Sequence, residues 1–65
     1  MKILTWQARN SKKVTLVKLS KMTGISKSTL NNIENEKVSP TIAELEAIAK
    51  ALNIEITALF DSEYK

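Results

Sequence analysis

The lack of cysteine and histidine is the feature that most limits how this chain of 65 residues can fold. A domain of that size buries only about 60% of the surface that its unfolded chain exposes, and many small domains add disulfides or a metal ion for stability. Neither a disulfide framework nor a Cys/His zinc site is possible here. The apolar side chains, 43% of the residues, must therefore hold the fold together.

The rest of the composition favours a folded cytoplasmic protein. A single glycine and a single proline are far from the composition of a disordered chain. Gln7, Arg9 and Asn10 interrupt the apolar N-terminus before the hydrophobic region of a signal peptide would be complete. No apolar run approaches the roughly 18 residues of a membrane span. We expect one domain over residues 1–65, with no membrane contact, metal, cofactor or small-molecule ligand.

The charge is divided unevenly along the chain. Residues 1–33 contain seven basic residues and no acidic one, a net charge of +7. Residues 34–65 contain three basic and seven acidic residues, a net charge of −4. Such an asymmetry indicates that the N-terminal half meets a polyanion such as nucleic acid. On charge alone, a solvated basic face that keeps the protein soluble explains the pattern equally well.

Apolar residues at helical spacing predict an all-α chain of five short helices. Thr15 and Ser26 are candidate N-caps of the second and third helices, because their hydroxyl groups can accept a backbone N–H of the first turn. Thr41 and Glu44 have the spacing of a capping box ahead of the fourth helix. The five helices are expected at about residues 4–12, 16–23, 27–35, 42–52 and 56–60.

Other residues predict where helices end and what fills the core. Gly24 and Asn53 can adopt the left-handed conformation that often follows a helix. Pro40 disfavours helical backbone at Ser39, so the chain should enter the fourth helix from an extended loop. Outside the strongly periodic segments, the apolar side chains expected in the core are Trp6, Met22, Ile54, Ile56, Leu59 and Phe60, although residues 56–60 could also form a dimer contact.

The second and third predicted helices have the spacing of a helix-turn-helix, two helices joined by a tight turn that contains glycine. Ser20 is small at the position where the two helices cross, and Gly24 lies in the turn. Apolar residues occupy the positions that would tie both helices to the core: Leu19, Ile25, Leu30 and Ile33.

Over about residues 3–60 the chain resembles the Cro/repressor-like (XRE-type) helix-turn-helix family. The segments that carry the resemblance are LSKMTGISKSTL at 19–30, IEN at 33–35, SPT at 39–41 and IAKAL at 48–52. The resemblance implies a compact five-helix lambda-repressor-like domain, with the helix-turn-helix pair at about residues 16–35. It also implies an ion pair between Arg9 and Glu34 with a structural role.

The third helix carries the candidate base-contacting residues, on the face opposite Leu30 and Ile33. Asn can bond bidentately to adenine in the major groove, and Lys can reach O6 and N7 of guanine. The residues expected to contact bases are Lys27, Ser28, Asn31 and Asn32. Those expected to contact the DNA backbone are Leu16, Lys18, Thr29, Asn35 and Lys37.

Three residues depart from the family pattern. Lys13 and Glu36 occupy turn positions where the family usually has glycine, which implies either a strained backbone or altered loops. Glu36 also places a negative charge near the expected DNA backbone. Leu16 stands where the family often has a glutamine that contacts phosphate, so backbone N–H groups and Lys18 or Lys21 would have to supply that contact.

These observations predict a sequence-specific regulator of transcription that binds double-stranded DNA. We expect a repressor that acts as a homodimer on a palindromic operator. An antitoxin or protein-interaction module of the same fold is the alternative. The Asn-rich face of the third helix carries Lys27, Ser28, Asn31, Asn32 and Asn35. Its simplest interpretation is an ordinary solvated helix surface. An enzyme is the poorest candidate, because the chain has no His or Cys and no carboxylate pair placed for acid and base catalysis.

Overall fold

The computed structural model describes residues 1–64, which form four α-helices, one 3-10 turn and a two-stranded antiparallel sheet. The helices are α1 (Thr5–Ser11), α2 (Leu16–Thr23), α3 (Lys27–Glu34) and α4 (Ile42–Leu52). The 3-10 turn covers Ile56–Leu59. Strand β1 (Lys2–Ile3) pairs with β2 (Phe60–Asp61), so that Lys2 lies opposite Asp61 and Ile3 opposite Phe60.

The prediction of a fifth α-helix, and of a purely α-helical chain, differs from the structure. Residues 56–59 make a single 3-10 turn without a side-chain cap, and Phe60 is extended, with φ −151° and ψ 156°. Four residues with apolar spacing do not distinguish one turn of 3-10 helix from α-helix. The strands were missed because each has only two residues and depends on a partner at the opposite end of the chain.

The N-caps inferred from sequence are present. Thr15 Oγ1 accepts the backbone N–H of Lys18 at 3.1 Å, and Ser26 Oγ accepts that of Thr29 at 3.1 Å. Ahead of α4, Thr41 and Glu44 exchange side-chain to backbone hydrogen bonds of 2.9 and 3.0 Å. Each cap satisfies a donor that no helical carbonyl can reach, so these helices begin where the sequence predicts.

Left-handed residues end two of the helices as expected. Gly24 follows α2 with φ 76°, and Asn53 follows α4 with φ 55°. Glycine adopts this conformation without steric cost, and asparagine tolerates it better than most residues. The turn after α2 and the reversal after α4 are therefore encoded locally.

The core lies between α4 and the other elements. Its main buried cluster consists of Leu19, Leu30, Leu45, Ile48, Ala49, Leu52 and Leu59. Of the less periodic residues expected there, Leu59 is fully buried, and Ile54, Ile56 and Phe60 pack partly buried against the cluster.

Trp6 and Met22 were expected in the core and are not there. They are 53% and 46% exposed. In α1 the side that faces inward carries Thr5 and Ala8, which turns Trp6 towards solvent.

Helix α4 has 11 residues, and no helix within residues 1–64 combines the length and the apolar character that crossing a membrane requires.

Candidate nucleic-acid interface

A three-residue turn, residues 24–26, joins α2 to α3, and side chains of α2 hold it in place. Ser20 Oγ donates a hydrogen bond to the carbonyl of Ile25 at 2.7 Å. Thr23 Oγ1 donates to the carbonyl of Leu19 at 2.8 Å and accepts the N–H of Ile25 at 3.1 Å. The direction in which α3 leaves the turn is therefore fixed. Ser20 was expected there for its small size; residue spacing alone does not reveal the bond from its hydroxyl group.

Helix α3 has one face packed on the core and one face in solvent. Leu30 and Ile33 are 1% and 0% exposed, so rotation of the helix about its axis would expose both. The structure brings the four predicted base-contacting residues together on this helix. Lys27, Ser28 and Asn31 are exposed, and Asn32 is partly buried.

Two of the residues predicted to contact the DNA backbone are bonded within α3 or to its cap. The hydroxyl group of Thr29 accepts a hydrogen bond from Ser26 Oγ at 2.8 Å. Asn35 Nδ2 donates to the carbonyl of Asn31 at 2.9 Å and to its Oδ1 at 3.3 Å. These bonds give the side chains defined directions at the two ends of the helix.

The other three predicted backbone contacts lie outside α3. Lys18 and Lys37 are exposed, whereas the side chain of Leu16 packs partly buried against the core. Leu16 can therefore offer only its backbone N–H, in the first turn of α2. Neither α2 nor α3 has an acidic residue in its first turn, so the positive end of each helix dipole is not neutralised by its own helix.

Arg9 and Glu34 form an ion pair that joins α1 to the last residue of α3. Arg9 Nε donates to Glu34 Oε2 at 2.7 Å, and Nη2 donates to Oε1 at 3.1 Å. Nη1 of the same guanidinium donates to the carbonyl of Val14 at 2.9 Å. The two side chains are 12% and 5% exposed. The pair ties the last residue of α3 to α1 and compensates the negative charge of Glu34.

The two family glycine positions keep the backbone conformation of glycine. Lys13 and Glu36 both have φ 57°, so of the two alternatives the structure contains the strained backbone. The carboxylate of Glu36 is bonded to strand β1, where its Oε1 accepts the N–H of Ile3 at 3.2 Å. This bond spans 33 positions of the sequence. Nothing near Glu36 in the sequence indicates it, and it was missed.

Acidic side chains elsewhere give no sign of a metal centre. Within residues 1–64 no three of them lie close enough together to coordinate an ion. The residues predicted to contact DNA carry amide, hydroxyl and ammonium groups, which can donate and accept hydrogen bonds and neutralise phosphate.

Comparisons with known proteins agree with the helix-turn-helix fold. A family model described as helix-turn-helix matches residues 7–59. The chain is 36% identical over 55 residues to the immunity repressor protein of Bacillus phage phi105. That match covers 85% of this chain and 38% of the phage protein, so the chain spans well under half the length of this relative.

A solved structure is also similar, the N-terminal DNA-binding domain of SinR from Bacillus subtilis. The TM-score is 0.80 at 29% sequence identity, over 94% of this chain and 90% of that chain. The phage protein is described as a repressor and the SinR domain as DNA-binding. Because the family model matches most of the sequence, the chain belongs to the XRE-type helix-turn-helix family of DNA-binding, repressor-like proteins.

Proposed function

We propose that this protein is a transcriptional repressor that binds double-stranded DNA sequence-specifically and reads the major groove with α3. The observation that carries the proposal is the fixed orientation of α3, with Leu30 and Ile33 buried behind it and amide and ammonium groups in front. An α-helix fits the width of the major groove, where base edges present distinct donors and acceptors. A rigid helix with such side chains can discriminate among those patterns.

Within this proposal, base and backbone contacts have different roles. Asn31 and Asn32 bond to adenine, Lys27 reaches guanine, and Ser28 can serve either base. The register of the protein on the duplex is set by residues that bind phosphate groups, and such contacts carry no sequence information directly. We assign these to Lys18, Lys37, Thr29, Asn35 and the backbone N–H of Leu16.

We further propose that residues 1–65 are one domain that acts in the cytoplasm as a homodimer on a palindromic operator. The immunity repressor of phage phi105 and the DNA-binding domain of SinR support a regulatory role, since one is described as a repressor and the other as DNA-binding. In this binding mode two half-sites lie about 34 Å apart, one turn of duplex. Occupancy of a promoter would then block transcription.

Selection of bound duplexes from a random pool tests the proposal most directly. We expect the recovered sequences to share a motif with two-fold symmetry, because the dimer presents two copies of α3. Fluorescence anisotropy on the selected duplex, at two salt concentrations, should show weaker binding at the higher one, since phosphate neutralisation releases counterions. Recovery of no motif, or affinity independent of salt, would contradict specific binding. A toxin that co-purifies while DNA binding is dispensable would instead support the antitoxin alternative.

Two substitutions separate the proposed roles. Asn32→Ala should relax base preference at one operator position, with a loss of roughly 1–3 kcal/mol there. Lys37→Ala should weaken all duplexes about equally and reduce the salt dependence by about one phosphate contact. Lys50→Ala removes an exposed lysine from α4, outside the proposed interface, and serves as the matched control. If Asn32→Ala and Lys37→Ala act alike, the assignment of roles is wrong.

A further inference from the structure

Glu36 lies between two residues to which we assign DNA backbone contacts, Asn35 and Lys37. Its backbone is left-handed, with φ 57°, and the residue itself is exposed. A free carboxylate at this position would repel the phosphates that Lys37 is proposed to bind. The carboxylate accepts the backbone N–H of Ile3 at 3.2 Å, which directs it towards strand β1 without removing its charge. We call this hydrogen bond the Glu36 clasp.

The clasp connects two parts of the molecule that are each held by backbone bonds. On one side, Glu36 N–H donates to the carbonyl of Ile33 at 3.0 Å, and Lys37 N–H donates to that of Asn32 at 2.9 Å. These bonds attach the loop to the end of α3. On the other side, Ile3 pairs with Phe60 in the small sheet. The clasp is thus a side-chain link from the sheet to the loop that carries Lys37.

We propose that Glu36 is a positioning residue for DNA binding, through the clasp. The inference rests on the proposed function, because it concerns the affinity of that same interface. The clasp holds the loop so that Lys37 faces the phosphates without reordering on binding, and preorganisation of this kind raises affinity. The clasp also keeps the Glu36 carboxylate hydrogen-bonded to the N–H of Ile3. A repulsive charge with no positioning role is the alternative.

Two variants that remove the same charge distinguish these roles. In Glu36→Gln the amide oxygen can still accept the N–H of Ile3, whereas in Glu36→Ala the clasp is lost. We expect Glu36→Ala to bind the selected duplex at least about fivefold more weakly than Glu36→Gln, because without the clasp the loop that carries Lys37 must become ordered on binding. A purely electrostatic role predicts equal dissociation constants for the two variants.

A third variant keeps the negative charge but has a side chain too short to reach the N–H of Ile3. The side chain of Glu36→Asp is one methylene shorter, and aspartate tolerates the left-handed backbone. We expect it to bind more weakly than the wild type at equal net charge. If Glu36→Ala does not fold, the comparison of Glu36→Asp with the wild type decides the matter alone, and equal affinity would overturn the inference.

Amide hydrogen exchange supplies a readout that does not depend on DNA. The N–H of Ile3 should exchange faster in Glu36→Ala than in Glu36→Gln, because only the former lacks the acceptor.

Lys37→Ala should also cost less affinity in the Glu36→Ala background than in the wild type, if the clasp acts through Lys37.

The outcomes separate the two proposals. A wild-type chain that binds no duplex overturns the proposed function and this inference with it. A wild-type chain that binds, while the Gln and Ala variants bind equally, overturns the positioning role alone.

Discussion

We expect a buried hydroxyl group at the start of α1 to lower the stability of the fold. Thr5 is 1% exposed, and its Oγ1 has no hydrogen-bond partner among the described residues. Thr5→Val replaces this group with a methyl group of similar size, so we expect the free energy of unfolding to rise by about 1 kcal/mol. Thermal denaturation should show a melting temperature higher by several degrees. Thr5→Ala, which leaves a cavity, is the control and should melt lower than Thr5→Val; a valine variant that melts below the wild type would show that the hydroxyl is satisfied.

Lys13 has a strained, left-handed backbone and is a second residue at which a substitution should stabilise the fold. A left-handed backbone costs an L-residue about 1 kcal/mol, and glycine avoids that cost while gaining freedom in the unfolded chain. We expect Lys13→Gly to raise the free energy of unfolding by about 0.5 kcal/mol in a denaturant titration. Glu36→Gly relieves strain at the same φ of 57° but loses the clasp, so it should gain less. Equal gains would mean that the clasp adds nothing to stability.

At the scale of elements, the Arg9–Glu34 pair connects α1, the α1–α2 turn and α3. Because both side chains are largely buried, removing one partner leaves a desolvated charge in place. We expect Glu34→Ala to lower the free energy of unfolding by about 3 kcal/mol, measured by urea denaturation. Glu46→Ala, which removes an exposed acid from α4, is the matched control and should change it by less than about 0.5 kcal/mol. Similar losses for the two would contradict a structural role for the pair.

Elements defined by neighbouring residues could be predicted from the sequence, and those defined by distant pairing could not. Thr15 and Ser26 cap their helices through groups three positions away, so α2 and α3 begin as expected. The small sheet joins Ile3 to Phe60 and carries no local pattern. The 3-10 turn was taken as a helix because apolar spacing alone is ambiguous over four residues.

The same distinction applies to the candidate site. Which side chains share the solvent face of α3 follows from helical periodicity, and the structure places them on one helix. The partial burial of Asn32 and the clasp depend on tertiary packing that one sequence does not specify. The outward direction of Trp6 likewise depends on which side of α1 the remaining helices cover.

For the whole molecule, a small core leaves little stability in reserve. A chain of this length is expected to be stable by about 5 kcal/mol, and truncation of one buried isoleucine costs roughly 2–5 kcal/mol. Ile48 is 0% exposed and Ile42 is 69% exposed on the same helix, so the same substitution can be compared at both. We expect Ile48→Ala to retain only about 0–3 kcal/mol of stability, so that its far-ultraviolet circular dichroism signal is lost well below the melting temperature of the wild type. Ile42→Ala should melt within a few degrees of the wild type. If the two variants melt together, Ile48 does not belong to a cooperative core, and the buried support behind α3 would be absent in solution.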